Sequence, residues 1–181
     1  MKIIGITYLG GTAQMVLKGD SSLLNGKKPF FMPDNTADIR ALPAIILRVS
    51  RLGKHIEERF ASRYYDAVAP GLDLIAYDRL QDAQSKGLSW TEATCFDYSM
   101  PIGEWAEEPV HYEWTIDNQP WAVSELCCTP EQAIARISRL MTIRQGDLIY
   151  ITAAQAPTPL QREQVLRAGE GESELLYCKI K

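Results

Sequence analysis

The stretch "ALPAIILRVSRLGKHI" spans residues 41–56. Ala44–Val49 is apolar apart from Arg48, with the length and branched side chains of a buried strand. Pro43 has no N–H for a ladder, which predicts that it lies at the start of that strand or on a sheet edge. Leu52-Gly53 turns the chain. From His55 the period changes. Ile56, Phe60 and Tyr64 recur every fourth residue among Glu57, Glu58, Arg59 and Arg63, which predicts a helix ended by Ala69-Pro70-Gly71. The quoted stretch holds Arg48, Ser50, Arg51, Lys54 and His55 and no acid. What its strand is for is therefore a chemical question as well as a structural one.

On the N-terminal side, Ile4, Ile6 and Tyr8 alternate through a first strand over residues 2–9, stopped by Gly10-Gly11. Residues 10–27 are polar and contain glycine, so a lid loop is expected there. "KPFFMPDN" (28–35) reads as a short strand closed by the turn residues Pro33-Asp34-Asn35. On the C-terminal side, "LDLIAYD" (72–78) reads as a strand and residues 79–94 as a polar segment with a short helix. Val110, Tyr112, Trp114 and Ile116 alternate into an Asp117-Asn118 turn, with a return strand at Trp121–Val123. Thr129, Pro130 and Gln132 form a capping-box start for a helix buried through Ile134, Ile137 and Met141. "GDLIYIT" (146–152) reads as a strand, residues 153–174 as loop and Leu175–Ile180 as a last strand. The class expected is α+β, mainly β, in one domain over residues 1–181.

Composition excludes several functions. The chain has 181 residues, 46% hydrophobic and 23% charged, the balance of a water-soluble globular protein with a real core. A net charge of -4 and no isolated basic cluster argue against nucleic acid. No apolar run reaches membrane-spanning length, and the N-terminus lacks a signal-peptide pattern, so the cytoplasm is the expected compartment. Cys95, Cys127, Cys128 and Cys178 form no C-x-x-C pair, and neither His55 nor His111 stands at zinc spacing from them. The adjacent pair Cys127–Cys128 bridges only with strain, so these thiols are read as small hydrophobes.

Four segments in this order carry a family resemblance: "KPFFMPDN", "RLGKHIEERFASRYYDAVAPGLDLIAYDRLQ", "WTEATCFDYSMPIG" and "TIRQGDLIYIT". Together they resemble the fumarylacetoacetate hydrolase family, in its small branch of acylpyruvate hydrolases, oxaloacetate decarboxylases and hydroxyheptadienedioate isomerases. The resemblance covers nearly the whole chain. It implies a mixed β-roll with flanking helices and a homodimer. It also implies a Mg²⁺ or Mn²⁺ ion held by three carboxylates, which acts as a Lewis acid on a chelated 2-oxo acid.

Carried over residue by residue, the resemblance fails at the site. The family's Glu-x-Glu ligands fall on Leu42 and Ala44. Its third ligand is kept as Asp73, while the arginine of the same motif falls on Tyr77. The catalytic lysine falls on Thr94, although Phe96, Asp97, Pro101 and Gly103 remain. The substrate-binding threonine falls on Ala153. The family's N-terminal tyrosine corresponds to Tyr8, and no histidine precedes His55 to serve the lid.

The chain is therefore expected to have a degenerate active site and to need no cofactor. Asp73 as sole metal ligand competes with Asp73 as an ordinary hydrogen-bonded residue. Arg48 shares strand parity with Leu42 and Ala44 and could meet an anion in the old pocket; a surface arginine is the plainer reading. Glu104, Glu107 and Glu108 read as a solvated acidic run, and Tyr112–Trp114 as core or dimer interface. Three functions stay open. The first is a dimeric pseudoenzyme binding a small organic acid or a partner. The second is a Mg- or Mn-dependent enzyme with ligands rebuilt from Asp78 or Asp97. The third is a subunit that pairs with an active relative.

Overall fold

The computed structural model describes residues 1–107, 111–171 and 173–181. Its strands are β1 Ile3–Leu9, β2 Thr12–Lys18, β3 Leu23–Asn25, β4 Ile39–Val49 and β5 Tyr65–Ala76. These continue with β6 Met100–Ile102, β7 Glu113–Ile116, β8 Gln119–Pro120, β9 Leu148–Thr152, β10 Thr158–Pro159, β11 Val165–Glu170 and β12 Ser173–Lys179. The α-helices are α1 Tyr77–Lys86, α2 Thr91–Thr94 and α3 Pro130–Leu140. An eight-stranded mixed sheet runs β2-β1-β9-β4-β5-β6-β3, with β10 also on β4; a four-stranded sheet runs β12-β11-β7-β8. The class is mainly β with flanking helices.

Strand β4 lies at the middle of the large sheet, antiparallel to both β5 and β9. Pairing on both edges explains its near-continuous apolar sequence. One of its faces packs on the small sheet, in a core that includes Ile39, Ala41, Leu72, Leu74, Leu166 and Leu176. Farther along, Ile4, Ile6, Leu47, Ile149 and Ile151 lie under Ala133, Ile134 and Ile137 of α3. The opposite face of the sheet carries Ile3, Ala44, Ile46, Ala69 and Tyr150, then Leu9, Leu42 and Ile75 beneath Leu80 and Ala93 of the two short helices.

Several sequence expectations need correction. The segment 10–27, expected as a lid loop, is mostly regular. Gly10 and Gly11, with φ of 62° and 82°, close a two-residue hairpin that pairs Leu9 with Thr12 and Ile3 with Lys18. Positive φ at both central residues matches the twist of the flanking strands, and glycine adopts it without steric cost. Residues 28–35 contribute only a bridge between Phe30 and Ile180. The helix expected from His55 is a 3₁₀ helix, Glu58–Tyr64, and β5 then starts at once. Ala69-Pro70-Gly71 is therefore inside a strand.

Two prolines are tolerated in strand interiors for one reason. The Pro70 carbonyl accepts from Gly103, on the side where β5 meets β6 only at Gly71 and Ile102. The Pro43 carbonyl accepts from Ala153, just past the end of the β4–β9 ladder. Each missing N–H therefore faces a place where the ladder stops. Helix α1 begins at Tyr77, earlier than expected, and α2 is a separate turn. Residues 153–174, expected as loop, hold β10 and β11. The return after the Asp117-Asn118 turn is β8, and Trp121 extends it through one bond to the Trp114 carbonyl. Val110 and Glu108 lie outside the described residues. The α3 start is as expected, with the capping box between Thr129 and Gln132 formed in both directions.

The parallel pairing of β1 with β9 is pinned at its start by Asp147. Its carboxylate accepts from the backbone N–H groups of Lys2 and Arg144, at 2.8 and 2.9 Å, and pairs with the Lys2 ammonium at 2.6 Å. Burial alone would raise the Asp147 pKa, but these partners outweigh it and hold the carboxyl below its ordinary value. A depressed folded-state pKa adds stability above the unfolded value, and that stability is lost as pH falls through the folded value. Asp147→Asn is therefore expected to lower unfolding free energy at pH 7. The gap to the parent protein should narrow as pH drops below the ordinary 3.8, as followed by urea denaturation at a series of pH values.

Candidate active site and its buried ion pair

Register and alternation bring one set of side chains to one face of the large sheet. Leu42 pairs directly with Asp73, and Ala44 pairs with Gly71 on one side and Thr152 on the other. Tyr150 pairs with Ile46 and with Gly5, and Gly5 shares its strand face with Ile3 and Thr7. Lys18, the last residue of β2, pairs with Ile3 and so joins the same face.

At the centre is Asp73, fully buried. Its Oδ2 accepts from Thr7 Oγ1 at 2.7 Å. Its Oδ1 lies 2.9 Å from Lys18 Nζ, and neither side chain of this pair has any exposure. The same ammonium donates to Ser99 Oγ at 2.9 Å, the Ser99 carbonyl at 3.2 Å and the Leu74 carbonyl at 3.4 Å. The ring of Phe96 faces it from 5.8 Å. The Tyr150 hydroxyl is also buried and has no hydrogen-bond partner among the described residues. Burial first, then the negative charge of Asp73, pushes its pKa well above the ordinary phenol value, so it stays protonated. Gly5 makes room for it: a Cβ there would fall inside the Tyr150 ring.

Beside this cluster, between β2 and the α1–α2 segment, lies an open cleft of about 720 Å³. Gln14, Val16, Lys18, Trp90, Thr94 and Cys95 contribute to its walls. Helix α2 sets Thr94 there and turns its hydroxyl back onto the Trp90 carbonyl at 3.0 Å.

The candidate residues divide accordingly. Leu42, Ala44 and Asp73 share one face, and Thr94 stands at the cleft. Tyr8 and Ala153 do not join them. By alternation each falls on the face opposite Thr7 and Thr152, and only the Tyr8 N–H reaches inward, to Thr152 Oγ1 at 2.8 Å. Arg48 pairs with Asp66 at 2.8 Å on the surface, with Trp105 alongside. Asp78 is held by Thr36 Oγ1 and the Ala37 N–H, and Asp97 lines a different cleft with Phe31 and Tyr98. Cys127 and Cys128 are half-buried free thiols packed against the α3 core.

Sequence reasoning missed Lys18, Thr7, Ser99 and Tyr150. Lys18 read as one more polar residue of a loop. Its signal was the Gly10-Gly11 pair, which fixes the hairpin and with it the parity of every residue in β2.

The donor set does not suit a hard divalent cation. Such ions need several oxygen ligands with compensating negative charge. Among the described residues the site offers one carboxylate, with Oδ2 hydrogen-bonded to Thr7 and Oδ1 in ion-pair contact with a fixed cation at 2.9 Å. The two flanking positions are Leu42 and Ala44. Among the described residues, no three His, Cys, Asp or Glu side chains converge on one point.

Breaking a buried pair from one side strands the other charge. Lys18→Met is therefore expected to cost about 3–5 kcal/mol of unfolding free energy. Adding Asp73→Asn to that variant should recover part of the loss, and urea denaturation of the parent, both single variants and the double variant gives the coupling.

Comparison with known proteins agrees with this architecture. Residues 10–170 match the fumarylacetoacetate (FAA) hydrolase C-terminal family. The chain is 26% identical over 164 residues to the mitochondrial oxaloacetate decarboxylase of Dictyostelium discoideum, covering 84% of this chain and 75% of that protein. It is 23% identical over 177 residues to the mitochondrial oxaloacetate tautomerase FAHD1 of Mus musculus, covering 92% and 80%. Fumarylpyruvate hydrolase from Pseudomonas aeruginosa, in complex with Mn²⁺ and pyruvate, has a TM-score of 0.86 at 17% identity, over 99% of this chain and 88% of that one. The 2-hydroxyhepta-2,4-diene-1,7-dioate isomerase from Mycobacterium marinum has a TM-score of 0.78 at 19% identity, over 99% and 73%. The structural likenesses show a shared fold, and the extent of the family match shows that this chain belongs to the fumarylacetoacetate hydrolase family.

Proposed function

We propose that this protein is a member of its family without the divalent-metal-dependent chemistry on 2-oxo acids. It serves as a dimeric binding or partner protein of the cytoplasm. The observation that carries the reading is the Lys18–Asp73 pair. The one carboxylate kept from the ligand set is neutralised by a side chain of the same protein. A divalent ion brought to Asp73 would meet an ammonium at contact distance, and among the described residues no group of three His, Cys, Asp or Glu side chains offsets that repulsion. With Leu42 and Ala44 on the same face, Asp73 is left without the two flanking carboxylates that the resemblance places there.

What survives is the cleft between β2 and α2. Its volume suits a small organic molecule. Met15, Leu17, Leu88 and Trp90 give it apolar walls, and Gln14 and Thr91 give it polar ones. A small organic acid held there would be bound through shape and hydrogen bonds.

The relatives supply the substrates to test, since their names include oxaloacetate decarboxylase and fumarylpyruvate hydrolase. Metal-stripped protein titrated calorimetrically with Mn²⁺ is expected to show no micromolar binding. Oxaloacetate and fumarylpyruvate are expected to be consumed at the background rate, with or without Mg²⁺ or Mn²⁺. Metal-stimulated turnover that is lost in Asp73→Ala would replace this reading with that of an active enzyme.

A further inference from the structure

We propose that the Lys18 ammonium is a tethered cation in a built oxygen cage, and that the cage is a latent site for a primary alkylammonium ion. The inference rests on the reading above that no divalent ion is used at Asp73.

The first support is the arrangement of oxygens. Asp73 Oδ1, Ser99 Oγ and the carbonyls of Ser99 and Leu74 all lie within 3.4 Å of Nζ. An ammonium has three N–H donors, so four oxygens at this range form a cage around a charge as well as a set of hydrogen bonds. The Phe96 ring adds its electron-rich face to the enclosure.

The second support is the rigidity of the cage without the lysine. The Ser99 carbonyl also accepts from the Leu74 N–H at 2.9 Å, and the Ser99 N–H donates to the Phe96 carbonyl at 3.2 Å. Tyr98, just before Ser99, has φ of 61°. That is a costly conformation for an aromatic residue, and it is tied down by a bond from its N–H to the Ser21 carbonyl. Thr7 holds the far oxygen of Asp73. The Ser99 carbonyl and the Asp73 carboxylate are thus held by bonds to the backbone and to a second strand that do not involve Lys18.

The third support is access. Lys18 borders the open cleft while its side chain is fully buried, so the space vacated in Lys18→Ala lies next to the cleft.

The test is chemical rescue of Lys18→Ala, which lacks the last three carbons and the nitrogen of the side chain. n-Propylammonium is the missing piece. Its chloride is expected to raise the melting temperature of Lys18→Ala in a saturable way, by about 4 °C at ten times its dissociation constant. Tetramethylammonium chloride at equal ionic strength has the same charge and no N–H donors, and it should not. The parent protein and Lys18→Ala/Asp73→Asn should not respond to either salt. Where Lys18→Ala does not fold alone, its refolding yield from urea in the two salts reads the same comparison.

Equal effects of the two salts, or none, would overturn the cage. Stabilisation of Lys18→Ala by micromolar Mn²⁺ would also overturn it, by making the site a divalent one. Metal-dependent turnover by the parent protein is a separate result, which overturns the proposed function and leaves the salt comparison to stand by itself.

Discussion

A buried ion pair is ordinarily a poor source of stability, because both charges leave water. In this protein the Lys18–Asp73 pair matters because of what it connects. Lys18 ends β2, Asp73 lies in β5, and β1, β9 and β4 stand between them in the sheet. Four inter-strand steps of about 4.8 Å exceed the reach of a lysine, so the sheet curls to bring β2 near β5, and the ammonium ends among groups from β5 and the Ser99 segment. Thr7 adds β1 to the same knot. The remaining residues of that face suit a site whose charge is already cancelled: Leu42, Ala44, Ile46 and Ala69 are apolar, and Tyr150 stays neutral.

This accounts for the pattern of loss and retention in the family motif. Phe96, Pro101 and Gly103 are retained and have structural work: Phe96 faces the ammonium, and Gly103 bonds the Pro70 carbonyl. A Cβ at Gly103 would press on the Leu175 carbonyl and the Pro70 ring. Of the positions where the resemblance places a ligand or proton carrier, three hold Leu42, Ala44 and Thr94, and Asp73 is kept. The scaffold and the chemistry have different physical requirements, so one can be kept while the other is lost.

Much of this was legible in the sequence. The apolar run of β4 announced a buried strand, though not one with Pro43 in its interior, and the capping box announced α3. The departure of Leu42 and Ala44 from the Glu-x-Glu pattern was also plain in the sequence. The Lys18–Asp73 pair was not legible, because it depends on parity across a hairpin. Residues 10–27 look like a polar loop, and only the two-glycine turn makes them a strand. The helix expected after His55 failed for another reason. Its four-residue spacing is real, but the long pairing of β4 with β5 claims the chain from Tyr65 onward and leaves room only for 3₁₀ turns. Strand β11 was hidden because it is short and lies among turn residues.

The mutual dependence of Lys18 and Asp73 also has an evolutionary side. A carboxylate placed at Leu42 or Ala44 would arrive on a buried face beside an ammonium already paired with Asp73. Loss of Lys18 would strand Asp73, and loss of Asp73 would strand Lys18. Every single substitution that removes one partner therefore passes through a destabilised protein. The pair works as a ratchet: with both charges buried together, selection on folding alone keeps each for the sake of the other.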